Sequence, residues 1–250
     1  ESHLAPFRCV VLINVNESFS LREIEDIRRF VAGGGSLLVL GDHTGVAGIR
    51  GPYNELLKPF GIRYQFDCAS FPGNSWEYAW APVPHPLRAG LAHDDEPQVW
   101  VGASLALDSP ARPVLLARYG FSDWGDPAQY EQSYLGDRKF NPGEQLGDLV
   151  LAAECNYGRG RVLVFGDTSP FQSGALVKSQ RFVQRVFRYL LAKPGRWPFP
   201  LSLLLSLLGL VLVGVALGPP GSRSWAALLA VPLGAALGGA LASLPHARAT

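Results

Sequence analysis

Hydrophobic and polar positions change period several times along this chain. Residues 7–15 (FRCVVLINV) are almost wholly apolar, the pattern of a strand covered on both faces. Asn16-Glu17-Ser18-Phe19 reads as a turn. Leu21, Ile24, Ile27, Phe30 and Val31 then recur at helical spacing, which gives one apolar stripe. Ser20 with Glu23 three residues on makes a capping box at its start, and Gly33-Gly34-Gly35 ends it. Residues 36–40 (SLLVL) predict a second strand running into Gly41-Asp42-His43-Thr44-Gly45. A short helix is predicted around 53–58 and a strand over 62–66. The order β-α-β-α-β predicts a parallel sheet with helices on its faces.

The glycine run at 33–35 is not a phosphate loop. Such a loop follows a strand and opens a helix, whereas this run follows a helix and opens a strand.

Residues 67–98 are irregular, with five prolines and with Trp76, Tyr78 and Trp80 alternating between them. Those aromatics suit a sugar-stacking or partner-binding face, and equally the packing under a long loop. Residues 99–107 and 113–119 predict strands, and 121–147 a long polar excursion. Residues 149–156 and 161–165 predict a hairpin-like pair around Tyr157-Gly158-Arg159-Gly160. The second of these ends in Gly166-Asp167-Thr168-Ser169-Pro170, and a helix over 179–191 closes the domain.

The polar pattern then stops. Residues 197–217 (WPFPLSLLLSLLGLVLVGVAL) carry no charge and are long enough to cross a hydrocarbon core of about 30 Å. Gly218 to Arg223 is a turn, and 225–244 is a second span-length stretch with Gly234 and Gly238 in GxxxG spacing, which favours close helix packing in lipid. The expected organisation is an α/β domain over 1–192, a linker at 193–196, and a two-helix transmembrane hairpin at 197–217 and 225–244. The expected sheet is flavodoxin-like and mostly parallel, with helices on both faces. The chain has no methionine and opens a few residues before its first strand, so it is expected to be a segment of a longer protein.

Charge narrows the partners. The chain of 250 residues has 22 Lys+Arg against 21 Asp+Glu, a net charge of +1, which gives no reason to expect a nucleic-acid partner. Membrane lipid is expected instead. Arg188, Lys193, Arg196 and Arg248 would share one side against Arg223, and the positive-inside rule places that side in the cytoplasm. Cys9, Cys68 and Cys155 have no CxxC spacing, so neither a zinc ribbon nor a disulfide scaffold is expected. No cofactor motif is present, and none is expected.

The apolar strand, the capped helix ending in GGG and the segment SLLVLGDHTG together resemble the class I glutamine amidotransferase-like superfamily. The late segment YGRGRVLVFGDTSPF is similar to its membrane-anchored branch, which includes the GldG-type component of ABC transport and gliding systems. The likeness covers roughly residues 7–191. It implies an extracytoplasmic domain, against the Arg/Lys count, and transport-complex subunits as partners. Amidotransferases of this fold place a cysteine in a G-x-C-x-G elbow. This chain keeps the glycine spacing but has His43 near the centre, and an imidazole does not replace a thiolate in forming a thioester. The resemblance therefore implies a domain without glutaminase activity. The chain is also similar to ThuA-like domains of sugar metabolism, which carry a histidine at a like strand end and admit a carbohydrate ligand.

The two strand ends LVLGDHT and LVFGDTS match each other. If both strands lie parallel in one sheet, Asp42, His43, Thr44, Asp167, Thr168 and Ser169 gather at its carboxyl edge, where doubly wound sheets bind ligands. His85 or His93 from the irregular loop is in sequence range. Carboxylate and imidazole together suit a small ligand or a divalent cation. Equally, each Asp and Thr/Ser pair caps the chain that follows it. His93-Asp94-Asp95-Glu96 reads as a solvated turn, and Pro84-His85-Pro86 as a rigid one.

Overall fold

The computed structural model describes residues 3–43, 50–70, 85–87, 91, 99, 101–126 and 134–192. The chain divides into two units, Glu1–Pro194 and Gly195–Thr250, and the described residues belong to the first. The predicted spans 197–217 and 225–244 lie outside the described residues, as do Thr44, the aromatics at 76, 78 and 80, and the acidic turn at 93–96. Among the described residues no helix is long and apolar enough to cross a membrane.

Among the described residues, eight strands and three α-helices follow in the order β1 (Cys9–Ile13), α1 (Leu21–Ala32), β2 (Ser36–Leu40), α2 (Arg50–Leu57), β3 (Ile62–Tyr64), β4 (Asp67–Ser70), β5 (Leu105–Leu107), β6 (Arg112–Trp124), β7 (Leu146–Tyr157), β8 (Gly160–Phe165) and α3 (Ser173–Leu191). Six strands form one sheet in the order β1-β2-β8-β7-β6-β4, and β3 pairs with β5 in a separate two-stranded sheet. This is a mixed α/β architecture with a central sheet.

The first elements form for local reasons. Ser20 Oγ accepts from the Glu23 amide at 3.2 Å and Glu23 Oε2 accepts from the Ser20 amide at 2.8 Å, so the box predicted for α1 closes in both directions. Gly34 takes φ +113° just beyond the helix, a conformation costly for any residue with a Cβ. β2 is buried along its whole length. Its alternate residues feed two cores: Leu38 and Leu40 pack under α3 with Phe182, Val186 and Leu190. Leu37 and Val39 pack on the other face with Ile27 and Val31 of α1 and with Tyr53, Leu56 and Leu57 of α2. Each such side chain contributes about 1.5–3 kcal/mol by leaving water.

The expectation of a mostly parallel sheet is corrected. β1, β2 and β8 are parallel neighbours, but β8-β7, β7-β6 and β6-β4 are all antiparallel. For β8 and β7 the physical reason lies in the connection. Tyr157 pairs with Gly160 across a tight turn, and a short connection permits only antiparallel pairing, since a parallel step needs a crossover of a dozen residues or more. The run 62–66 is corrected too. It breaks at Gln65, so that β3 joins the small sheet and β4 the edge of the large one.

Candidate functional site

The two matched strand ends meet at one edge. Leu40 of β2 lies beside Phe165 of β8 in parallel register, so Asp42 and Asp167 both follow the carboxyl ends of adjacent strands. The glycine of each motif is required by packing. A Cβ on Gly41 would overlap the Tyr64 ring, and one on Gly166 would overlap the Ala103 carbonyl. Tyr64 Oη donates to Phe165 O at 2.8 Å and the Ala103 amide to Gly166 O at 2.8 Å. The ring and the carbonyl therefore cannot yield without losing bonds at the strand ends.

Asp42 is the centre of the cluster. His43 Nδ1 lies 2.7 Å from Asp42 Oδ1, and Thr168 Oγ1 donates to Asp42 Oδ2 at 3.2 Å. Gln172 Nε2 donates in turn to Thr168 Oγ1 at 2.9 Å. The Asp42 and His43 side chains keep 15 % and 18 % of their surface exposed, so the pair is sheltered but open to solvent. Nδ1 faces the carboxylate, which orients the imidazole ring. The Tyr134 ring stands 6.4 Å from the His43 ring, and the Arg138 guanidinium lies over that tyrosine, 4.1 Å from its centroid. Asp123 is buried and fixes that segment, accepting from Tyr134 Oη at 2.7 Å and from the Arg138 amide at 2.7 Å.

Asp167 behaves differently. It is buried, and its Oδ1 accepts from the Ser169 amide at 2.9 Å and from Ser169 Oγ at 2.8 Å. That is the local turn geometry of an Asp two residues before its donor. Of the six residues read from the sequence, the structure thus joins Asp42, His43 and Thr168 across two strands, pairs Asp167 with Ser169 locally, and leaves Thr44 outside the described residues. Among the described residues no three His, Cys, Asp or Glu side chains form a metal-holding group.

The elbow differs from that of a nucleophile. Among the described residues the non-glycine positions of positive φ are Asn14 and Arg138, so the His43 backbone lacks the strain with which a nucleophile elbow presents its residue. The three cysteines remain thiols and lie within β1, β4 and β7. Burial pushes the Cys9 thiol up, and burial together with the nearby Glu154 carboxylate does the same to Cys155. Both shifts disfavour the reactive thiolate.

A second polar cluster lies beneath α3. Glu154 of β7 is buried at 2 % exposure. Arg112 Nε lies 2.8 Å from its Oε1, Tyr189 Oη donates to its Oε2 at 2.5 Å, and His85 Nε2 is 3.4 Å from Oε2. The Leu87 amide donates to His85 Nδ1 at 3.2 Å. His85 therefore belongs to this cluster and not to the strand edge. Burial opposes the charge on Glu154, but the nearby His85 imidazole, the bond from Tyr189 and the Arg112 guanidinium outweigh it and hold the carboxyl down at about 2. Burial and the adjacent carboxylate push the Tyr189 hydroxyl up. The signal for this cluster was in the sequence: Glu154 is the charge inside the apolar run 149–156, and such residues are rarely buried unless paired.

No family model and no curated protein matches the chain. Solved structures do. The mmIFT52 N-terminal domain is 18% identical with a TM-score of 0.51, covering 76% of this chain and 79% of its own. A cytoplasmic protein from Salmonella typhimurium is 15% identical with a TM-score of 0.50, covering 76% and 74%. These likenesses show the fold alone. A ThuA-like protein from Bacteroides uniformis is 13% identical over 76% of this chain and 71% of its own, with a TM-score of 0.42, too low to carry any inference about a site.

Proposed function

We propose that this chain is a non-catalytic, membrane-anchored domain of amidotransferase-like, flavodoxin-related fold. It serves as a ligand-binding or assembly module of a bacterial transport or envelope complex of the GldG type. The observation that carries this reading is the pairing of Asp42 with His43 and Thr168 across two parallel strand ends. On the amidotransferase likeness, this carboxylate and imidazole would take the position of the family's thiolate. Such a pair recognises a donor or an anion in place of forming an acyl-enzyme. The apolar stretches 197–217 and 225–244 supply the anchor, and the GldG-type likeness favours an extracytoplasmic face.

The experiment is recovery of partners from full-length protein solubilised in detergent. Recovery of membrane transport components supports the reading. Recovery of the chain alone, under conditions that keep other membrane complexes intact, refutes it.

A second reading is a carbohydrate-related enzyme or sugar-binding domain at the same edge. The sheltered Asp42–His43 pair with Tyr134 beside it favours this, since an aromatic ring next to hydrogen-bonding groups suits a sugar face. Asp167, the third residue of this edge, holds Ser169 through its Oδ1. Titration of wild type and His43→Ala against a glycan panel decides it: binding lost on substitution supports the sugar reading, and no binding by wild type removes it.

A further inference from the structure

The parallel strands give the domain two opposite edges, and the chain leaves from the one that lacks the Asp42 cluster. Ser36, the first residue of β2, donates through Oγ to Leu190 O at 2.7 Å. Arg161, near the start of β8, donates to Tyr189 O, and Arg8, just before β1, donates to Leu191 O. Three side chains from the amino ends of three adjacent strands thus hold the last carbonyls of α3. Asp42 follows the far end of the same β2, roughly six residues and about 20 Å along an extended chain from Ser36.

This amino edge is both apolar and basic. Phe7, Phe187 and Leu191 are 59 %, 36 % and 40 % exposed. Arg8 and Arg188 are exposed beside them. Arg188 is the basic residue of the last turn of α3, and the helix holds no acidic residue. The chain continues with Lys193 and Arg196 before the uncharged stretch at 197. Residues 193–196 span at most about 14 Å when extended, so a bilayer holding 197–217 is within reach of this edge.

We propose that the edge formed by Phe7, Arg8, Phe187, Arg188 and Leu191 lies on the surface of a bilayer containing anionic phospholipid. The cations face lipid phosphates and the apolar side chains enter the acyl boundary. Aromatic and aliphatic groups beside Arg are the composition that binds such an interface. Docked this way, the Asp42–His43 pair faces away from the membrane and is open to a partner. The proposal rests on the membrane anchor proposed above.

The test uses the full chain with an environment-sensitive fluorophore on Ala5→Cys, in a Cys9→Ala background. Ala5 is exposed, two residues from Phe7 and far in sequence from the anchor. The protein is reconstituted in phosphatidylcholine vesicles with or without phosphatidylglycerol, each carrying a trace of headgroup-nitroxide lipid. The expected result is quenching in the anionic vesicles, severalfold weaker in the zwitterionic ones, and lost at high salt. Arg188→Gln should lower the ratio of quenched to unquenched protein roughly fivefold, the weight of one cation at an anionic surface. Quenching that ignores lipid charge and Arg188 overturns the docking. So does a probe that stays aqueous in anionic vesicles from which alkaline carbonate does not strip the protein. Energy transfer between labelled copies without lipid quenching assigns the edge to a second copy and also overturns it. Stripping by carbonate from both vesicle types overturns the anchor itself.

Discussion

Replacing Glu154 with glutamine removes one charge from beneath α3 while keeping the shape of the side chain. In the folded protein the carboxyl lies at about 2 against an ordinary 4.5. A carboxylate held down in this way adds stability that is fully present above 4.5 and is lost as pH falls toward 2. The difference corresponds to about 3 kcal/mol at neutral pH. Little of this is screened away, because Glu154 is only 2 % exposed. Glutamine still accepts from Tyr189, but it cannot pair with Arg112, whose side chain is 58 % exposed and remains solvated. Glu154→Gln is therefore expected to cost about 3 kcal/mol near neutral pH and almost nothing near pH 2. Urea denaturation of the detergent-solubilised chain across that range, followed by amide exchange in β7, measures both limits. A cost that does not shrink on acidification, or one below about 1 kcal/mol at neutral pH, would refute the assignment of Glu154 as a buried, charge-paired anchor.

Other substitutions probe the edges. Gly166→Ala drives a methyl into the Ala103 carbonyl and is expected to cost about 3 kcal/mol, read as a lowered urea midpoint. Ser36→Ala leaves the Leu190 carbonyl without its donor; about 1–2 kcal/mol is expected, with faster amide exchange confined to the last turns of α3. Wild type is expected to hydrolyse no glutamine above background, and His43→Cys, which adds a thiol after β2 without a base to activate it, none either; turnover by wild type would sink the non-catalytic reading.

Much of the parallel half was legible because its signals are local. β2 begins and ends where the run SLLVL does, and the capping box fixes the start of α1. The hairpin of β7 and β8 followed from two apolar runs around a glycine turn. The antiparallel half was not legible, because strand partners are chosen by contacts remote in sequence. The apolar character of Ile62 and Tyr64 looks the same whether β3 joins a large sheet or pairs with β5. Residues 121–147 read as one polar excursion, yet β6 runs on to Trp124 and β7 starts at Leu146, since edge-side strand ends tolerate polar residues. At the site, the meeting of Asp42 with Thr168 followed from the matched strand ends. The capture of Asp167 by Ser169 was the local alternative already open in the sequence. Tyr134 had no signal, because Asp123 brings it near His43 through a long excursion.

The most direct test is affinity recovery from detergent-solubilised membranes of the full-length chain beside its Asp42→Asn/His43→Ala variant. Transport or envelope components recovered with wild type and lost with the equally folded variant are the expected result. The same recovery from both, or the chain alone from both, would contradict a binding role for this strand edge.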